Sequence, residues 1–109
     1  MIQHIVLLSF AEGFEAEQIK KIIDAVFSLK DVIPQIRSIT AGTMCNNSDE
    51  TEFCDGKTHG FVMIFDSEED RDTYLFHPAH VQVAQELVIP ALKKEGGIVV
   101  FDMKVDNVK

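Results

Sequence analysis

Tryptophan is missing from this 109-residue chain and tyrosine occurs once, so its aromatic content is almost entirely phenylalanine and a phenol is available at one position only. Basic residues are scarce as well. Ten Lys and Arg stand against eighteen Asp and Glu, a net charge of −8 that repels phosphate backbones and anionic lipid surfaces, so no nucleic acid and no membrane is expected as a partner. No apolar run approaches the ~20 residues needed to span a bilayer, and no charged segment leads into an apolar stretch at the start. The chain is expected to be soluble and cytoplasmic. Two cysteines, Cys45 and Cys54, flank an acidic polar segment; in a reducing compartment they require no disulfide. A nucleophilic-cysteine signature, a Gly-rich phosphate loop and a serine triad are all lacking.

What is present is concentrated. The fourteen residues from Ser67 to His80 (SEEDRDTYLFHPAH) hold the one tyrosine and two of the four histidines. Side chains able to donate, accept and relay protons therefore fall in one short stretch, where function is best sought.

The length and a 46% hydrophobic composition suit a single domain over residues 1–109. Met1 to Phe10 reads as a strand, with Ile2, His4, Val6, Leu8 and Phe10 on one face and Gln3, Ile5, Leu7 and Ser9 on the other. Both faces are largely apolar, so both must be covered. From Ala16 to Leu29, Ile19, Ile22, Ile23, Val26 and Phe27 recur at helical spacing opposite Gln18, Lys20, Lys21 and Asp24. Ile36 to Cys45, weakly patterned with Thr40, Gly42 and Thr43, suits a bent or edge strand. Asn46 to Lys57 has the composition of a mobile connection. Thr58 to Phe65 returns to strand character, with His59, Phe61, Met63 and Phe65 on one face and Gly60, Val62 and Ile64 on the other.

Ser67 followed by Asp70 three residues on, with Glu68 and Glu69 between, is a helix start. That helix is expected to reach about Phe76 and to end before Pro78, which then opens a second helix to about Val88, stopped or kinked by Pro90. Gly96 and Gly97 turn the chain into a last strand, Ile98 to Val105. The order β, α, β, β, α, α, β matches an α+β, ferredoxin-like split-βαβ arrangement, an antiparallel sheet with helices on one face. Its other face would remain apolar beyond what a monomer usually exposes, so a homodimer closed sheet to sheet, a dimeric α/β barrel, is expected.

The opening IQHIVLL, the Ile33-Pro34-Gln35-Ile36 turn, the Thr58-His59-Gly60-Phe61 strand and the segment Asp72 to His80 (DTYLFHPAH) together resemble the stress-responsive A/B barrel (Dabb) domain family over essentially the whole chain. The resemblance implies ferredoxin-like dimers whose two sheets form a barrel. His4, His59, Tyr74 and His80 are similar to pocket residues of a plant polyketide cyclase of that family, which implies a site that closes a β-keto chain by an aldol step.

The side chains support such chemistry in their own right. A histidine titrates near neutrality, so His80 is the candidate general base, taking a proton from an acidic carbon between two carbonyls. Tyr74, across the break at Pro78, is the candidate donor to the enolate oxygen if a tight corner joins the two helices. His4 and His59 share their strand faces with Val6 and Phe61, and these four form the candidate substrate-binding floor. His77 is the histidine most suited to a structural role, capping the following helix.

No metal and no cofactor is expected. His77 and His80 lie three apart, a spacing that arises often by chance, and the acidic Asp49, Glu50, Glu52 and Asp55 lack the ligand order of a calcium loop. Met63, Phe65, Phe101 and Met103 read as core rather than as a cofactor pocket. Three classes stay open: a small lyase or cyclase, a stress-protective or ligand-binding dimer without turnover, and a heme- or metal-handling, monooxygenase-like dimer.

Overall fold

The computed structural model describes residues 1–45 and 50–109; the expected connection at 46–57 therefore falls partly outside the described residues, as does Asp49 of the acidic cluster. Strand β1 (Ile2–Leu8) leads into helix α1 (Ala16–Val32), strand β2 (Ser38–Thr43), a single 3-10 turn at Thr51–Cys54 and strand β3 (His59–Phe65). Helix α2 (Glu68–Phe76), helix α3 (Pro78–Val83) with its continuation, and strand β4 (Ile98–Lys104) follow. The strands form one antiparallel sheet in the order β2-β3-β1-β4. The expected ferredoxin-like α+β arrangement is the one observed, and β2 lies at an edge as its composition suggested.

Register decides which side chains meet. His4 stands opposite Met63 on β3 and Asp102 on β4, and Val6 opposite Phe61 and Val100. Along β1 and β3 the inner face, carrying Ile2, Val6, Leu8, Phe61, Met63 and Phe65, is buried under the helices, whereas Ile98 and Val100 on the same face of β4 are 40% and 52% exposed. From α1, Ile22, Val26 and Leu29 complete that core with Ile33 and Ile36 behind them. Phe27, placed on the buried stripe by its spacing, is instead 38% exposed. It sits one position past Val26, and the ~100° step per residue carries it off the buried face.

Helix starts follow local chemistry. The backbone N–H of Glu15 donates to Gln18 Oε1 at 2.9 Å ahead of α1, and Ser67 Oγ accepts from the Asp70 N–H at 3.1 Å ahead of α2. The helix opened by Pro78 runs further than expected. Ala84–Val88 widens into a π-helical turn and a last turn, Ile89–Ala91, carries Pro90. The Ile89 N–H reaches back to the Ala84 carbonyl, five residues earlier, and this widened register lets a proline lacking an N–H sit in the last turn of the helix. Gly97 closes the return to β4. A side chain there would collide with the Lys93 carbonyl, its Cβ falling 2.1 Å from that oxygen.

The outer face has no such cover. Leu7, Val99, Phe101 and Met103 are each at least 38% exposed on it, so the expected stripe of Met63, Phe65, Phe101 and Met103 is divided, the first two fully buried in the core and the last two on the opposite face. Alternation along β4 places Phe101 and Met103 opposite Ile5 and Gln3, on the side away from the helices.

Candidate functional site

Beneath α2 and α3, between them, α1 and the inner sheet face, lies a cavity of about 190 Å³. His4, Val6, Phe61, Tyr74 and His80 line it, together with aliphatic side chains that include Val83, Val88 and Val100. Five of the six expected site residues are thus brought together from β1, β3, α2 and α3. The sixth, His59, is not among them. It lies at the far end of β3, its Nδ1 2.8 Å from Thr58 Oγ1 and its ring 5.1 Å from that of Phe10. Two positions along the strand separate it from Phe61, and that is enough to place it beside other cavities.

The corner between α2 and α3 sets the relation of Tyr74 to His80. At the hinge, the His77 N–H donates to the Tyr74 carbonyl at 3.1 Å and His77 Nδ1 accepts from the Ala79 N–H at 3.1 Å, so His77 caps α3. The turn brings the Tyr74 and His80 rings to a centroid separation of 4.2 Å, tilted by 42°. They meet as tilted neighbours in contact. Among the described residues the Tyr74 hydroxyl has no hydrogen-bond partner, although the residue is only 2% exposed.

Hydrogen bonding fixes the proton on His80. Its Nδ1 lies 2.9 Å from the Leu75 carbonyl oxygen, which can only accept, so Nδ1 carries the hydrogen and Nε2 of the neutral ring is a lone-pair base. Burial lowers the His80 pKa below the ordinary histidine value, the Leu75 carbonyl opposes that shift, and His4 and His77 add to it. The ring is therefore neutral at pH 7. Tyr74 is moved the other way: burial, and secondarily the Asp102 carboxylate, push its pKa well above the usual phenol range and keep the hydroxyl protonated as a donor.

Asp102 was not singled out from the sequence, yet it organises one wall. Its Oδ1 accepts from His4 Nδ1 at 2.5 Å and its Oδ2 from Arg71 Nη1 at 2.7 Å, while Arg71 Nε donates to Asp72 at 2.9 Å. A carboxylate on Nδ1 holds the buried His4 ring in place and leaves its Nε2 for the cavity. His4 also meets Tyr74 edge to face at 5.5 Å. The sequence signal was an acidic residue interrupting an otherwise apolar strand, IVVFDMKV, on the same alternation as Val100. Only the β1–β4 register shows that it faces His4.

Among the described residues no group of three or more His, Cys, Asp or Glu side chains converges as a metal site. His77, turned to its own helix cap, does not join His80 as a ligand pair.

Comparison with known proteins agrees with this architecture. Residues 2–105 match the model of the stress responsive A/B barrel domain. The stress-response A/B barrel domain-containing protein HS1 of Arabidopsis thaliana is 29% identical over 107 residues, 98% of this chain and 92% of its own length. Olivetolic acid cyclase of Cannabis sativa is 26% identical over 80 residues, 73% of this chain and 76% of its own. Among solved structures, hydroxynitrile lyase from Passiflora edulis superposes with a TM-score of 0.83 at 26% identity, covering 99% of this chain and 95% of that one. A dimeric ferredoxin-like protein of unknown function from Jannaschia has the same fold, with a TM-score of 0.78 at 23% identity over 95% of this chain and 98% of that one.

Proposed function

This chain belongs to the stress responsive A/B barrel domain family, and we propose that it acts as a homodimer in carbon-acid chemistry, as a small lyase or cyclase on a neutral carbonyl compound. The observation that carries the proposal is a base and a donor at one largely apolar cavity: His80 presents Nε2, and the Tyr74 hydroxyl has no hydrogen-bond partner among the described residues. In the proposed step, Nε2 of His80 removes a proton from the carbon beside a carbonyl, and the electron pair of that C–H bond moves onto the carbonyl oxygen. The Tyr74 hydroxyl donates to this oxygen as negative charge grows there, so the interaction is stronger in the transition state than before it. Attack of the enolate carbon on a second carbonyl forms the new C–C bond, and the proton held by His80 passes to the resulting alkoxide. Bond cleavage uses the same groups in reverse order.

Two similar proteins are named as a cyclase and a lyase, and that breadth is consistent with one acid–base pair serving more than one substrate. The lining includes neither Lys nor Arg. His80 is neutral and His4 is already paired with the Asp102 carboxylate, so an uncharged ligand with an aliphatic or aromatic body fits best. His4, Val6 and Phe61 would form its floor. The dimer reading rests on the uncovered outer face and on similar folds described as dimeric.

Deuterium wash-in at the α-carbon of neutral β-diketones in D2O, followed by proton NMR, isolates the first step without needing the native substrate. Wild-type protein is expected to accelerate exchange, and His80→Ala to abolish the acceleration. Saturable binding of the same compounds without any accelerated exchange would favour a ligand-binding dimer instead.

A further inference from the structure

A second cavity, of about 400 Å³, opens on the other side of the sheet at the strand ends, away from His80 and Tyr74. Its shape begins with two glycines. Gly42 on β2 pairs directly with Gly60 on β3, so no side chain stands on the outer face where two would otherwise fill it. At Gly60 the space is already taken up to contact: an added Cβ would lie 3.1 Å from Leu7 Cδ2 and from the Val6 carbonyl. Leu7 and Val99 supply an apolar floor, and Met44 and Phe53 apolar sides.

One lining residue is out of keeping with that surface. The Lys57 side chain is 5% exposed, and among the described residues its ammonium meets only Asp55, the carbonyl oxygen at 3.0 Å and the carboxylate at 3.5 Å. That carboxylate is itself 90% exposed and beyond good hydrogen-bond distance. A cation taken out of water with only a distant, hydrated counter-charge is poorly compensated. No other Lys or Arg lines the cavity, and burial lowers the His59 pKa so that its ring adds no charge at neutral pH.

We propose that this cavity is a binding site for a small organic carboxylate with an apolar body, its anionic end held by Lys57 and its tail laid across Leu7 and Val99. The carboxylate supplies the near counter-charge that Asp55 does not, and Gly42, where an added Cβ would meet nothing within 4 Å, leaves room for the tail. Asp55 is the competitor: its carboxylate, already in water, gives up its long contact with the ammonium as the ligand's takes its place. The site is independent of the proposed carbon-acid chemistry.

The test is an amide NMR titration of the full chain with sodium hexanoate and, separately, with 1-hexanol, which keeps the tail and removes the charge. Hexanoate is expected to shift Thr43, Thr58 and Gly60 saturably, and to bind about tenfold more tightly than hexanol, the usual weight of one charge-assisted hydrogen bond. Lys57→Met, which keeps the length of the side chain, is expected to erase that preference. Phe53→Ala, at a side chain 75% exposed, is expected to weaken both ligands and leave their ratio intact, and it serves as the variant should Lys57→Met fail to fold. Equal affinity for the two compounds, a preference that survives Lys57→Met, no saturable response, or shifts confined to His80 and Val83 would each overturn the proposal.

Discussion

The two faces of the sheet are built from similar residues and have opposite fates. On the inner face, Val6, Leu8, Phe61 and Met63 are buried under helices, and the polar groups among them, His4, Tyr74 and His80, are held at set positions around one cavity. On the outer face, Val99, Phe101 and Met103 stand in the open. Alternation alone makes both faces apolar; what differs is that the inner one has helices that bring Tyr74, His80 and the Leu75 carbonyl to it. An apolar face becomes a candidate site only where a second layer brings polar groups to it, and elsewhere it remains a surface in need of a cover.

The sharpest way to break this contrast is to remove the base. His80→Ala is expected to lower α-carbon exchange by about 10²–10⁴-fold, the usual range for a positioned general base, while circular dichroism stays native because His80 is only half-buried. An exchange rate within a factor of two of wild type would remove His80 from its assigned role.

On the outer face the corresponding change is Phe101→Glu. The side chain is 59% exposed on one protomer, so the charge is tolerated there, whereas burial of an unpaired carboxylate between two sheets is not. Sedimentation is expected to show a folded monomer for this variant and a dimer for wild type. A dimer of unchanged affinity would mean that some other surface mediates association.

Tyr74→Phe separates donor from base. It leaves the ring packing against His4, Phe65 and His80 in place and removes only the hydroxyl, so a loss of about 10²-fold in exchange is expected, at the lower end for an oxyanion donor, with little change in stability. Parity with wild type would assign the hydroxyl to substrate fit alone.

Acidity provides a smaller, graded effect. His80 and His59 both have folded-state pKa values below the ordinary histidine value, with burial as the leading cause. The unfolded chain therefore binds more protons, and the stability linked to these rings is fully present above about pH 6.5, then declines as pH falls toward the folded-state values. Exchange follows the same direction because only neutral His80 accepts a proton: its rate should hold below pH 6.5 and fall at more acidic pH. A thermal midpoint that rises on acidification from pH 7 to pH 5 would contradict the sign.

Much of this molecule could be read from its alternation. The two central strands and α1 have strong periods of two and 3.6, and the Ser67 cap and the Pro78 break are local chemistry, so these elements were legible. Relations across strands were not. Asp102 acquires its meaning from facing His4, and His59 loses its place in the cavity by standing two residues beyond Phe61; both depend on register and on where the helices end. Pro90 does mark the end of its helix, which stops at Ala91, but the π-helical turn ahead of it has no signature in the pattern of apolar residues. Lys57 could not be recognised as buried inside a polar segment, since local composition does not show which of its side chains tertiary contacts cover.

The two histidines of the HPAH segment offer the finest test, since they are three residues apart and the proposal assigns one to structure and the other to chemistry. His77 Nδ1 accepts the Ala79 N–H and closes the first turn of α3, whereas His80 Nδ1 donates to Leu75 and leaves Nε2 at the cavity. His77→Ala is therefore expected to lower stability by about 1 kcal/mol, the ordinary loss on removing a helix cap, and to leave the exchange rate per folded molecule within about twofold. His77→Asn, which restores a side-chain acceptor at the cap position, should recover most of that stability. Denaturant midpoints measured beside exchange rates separate the two roles: a drop in exchange comparable to that of His80→Ala, with stability unchanged, would place His77 in the chemistry and undo the division that the corner at Pro78 creates.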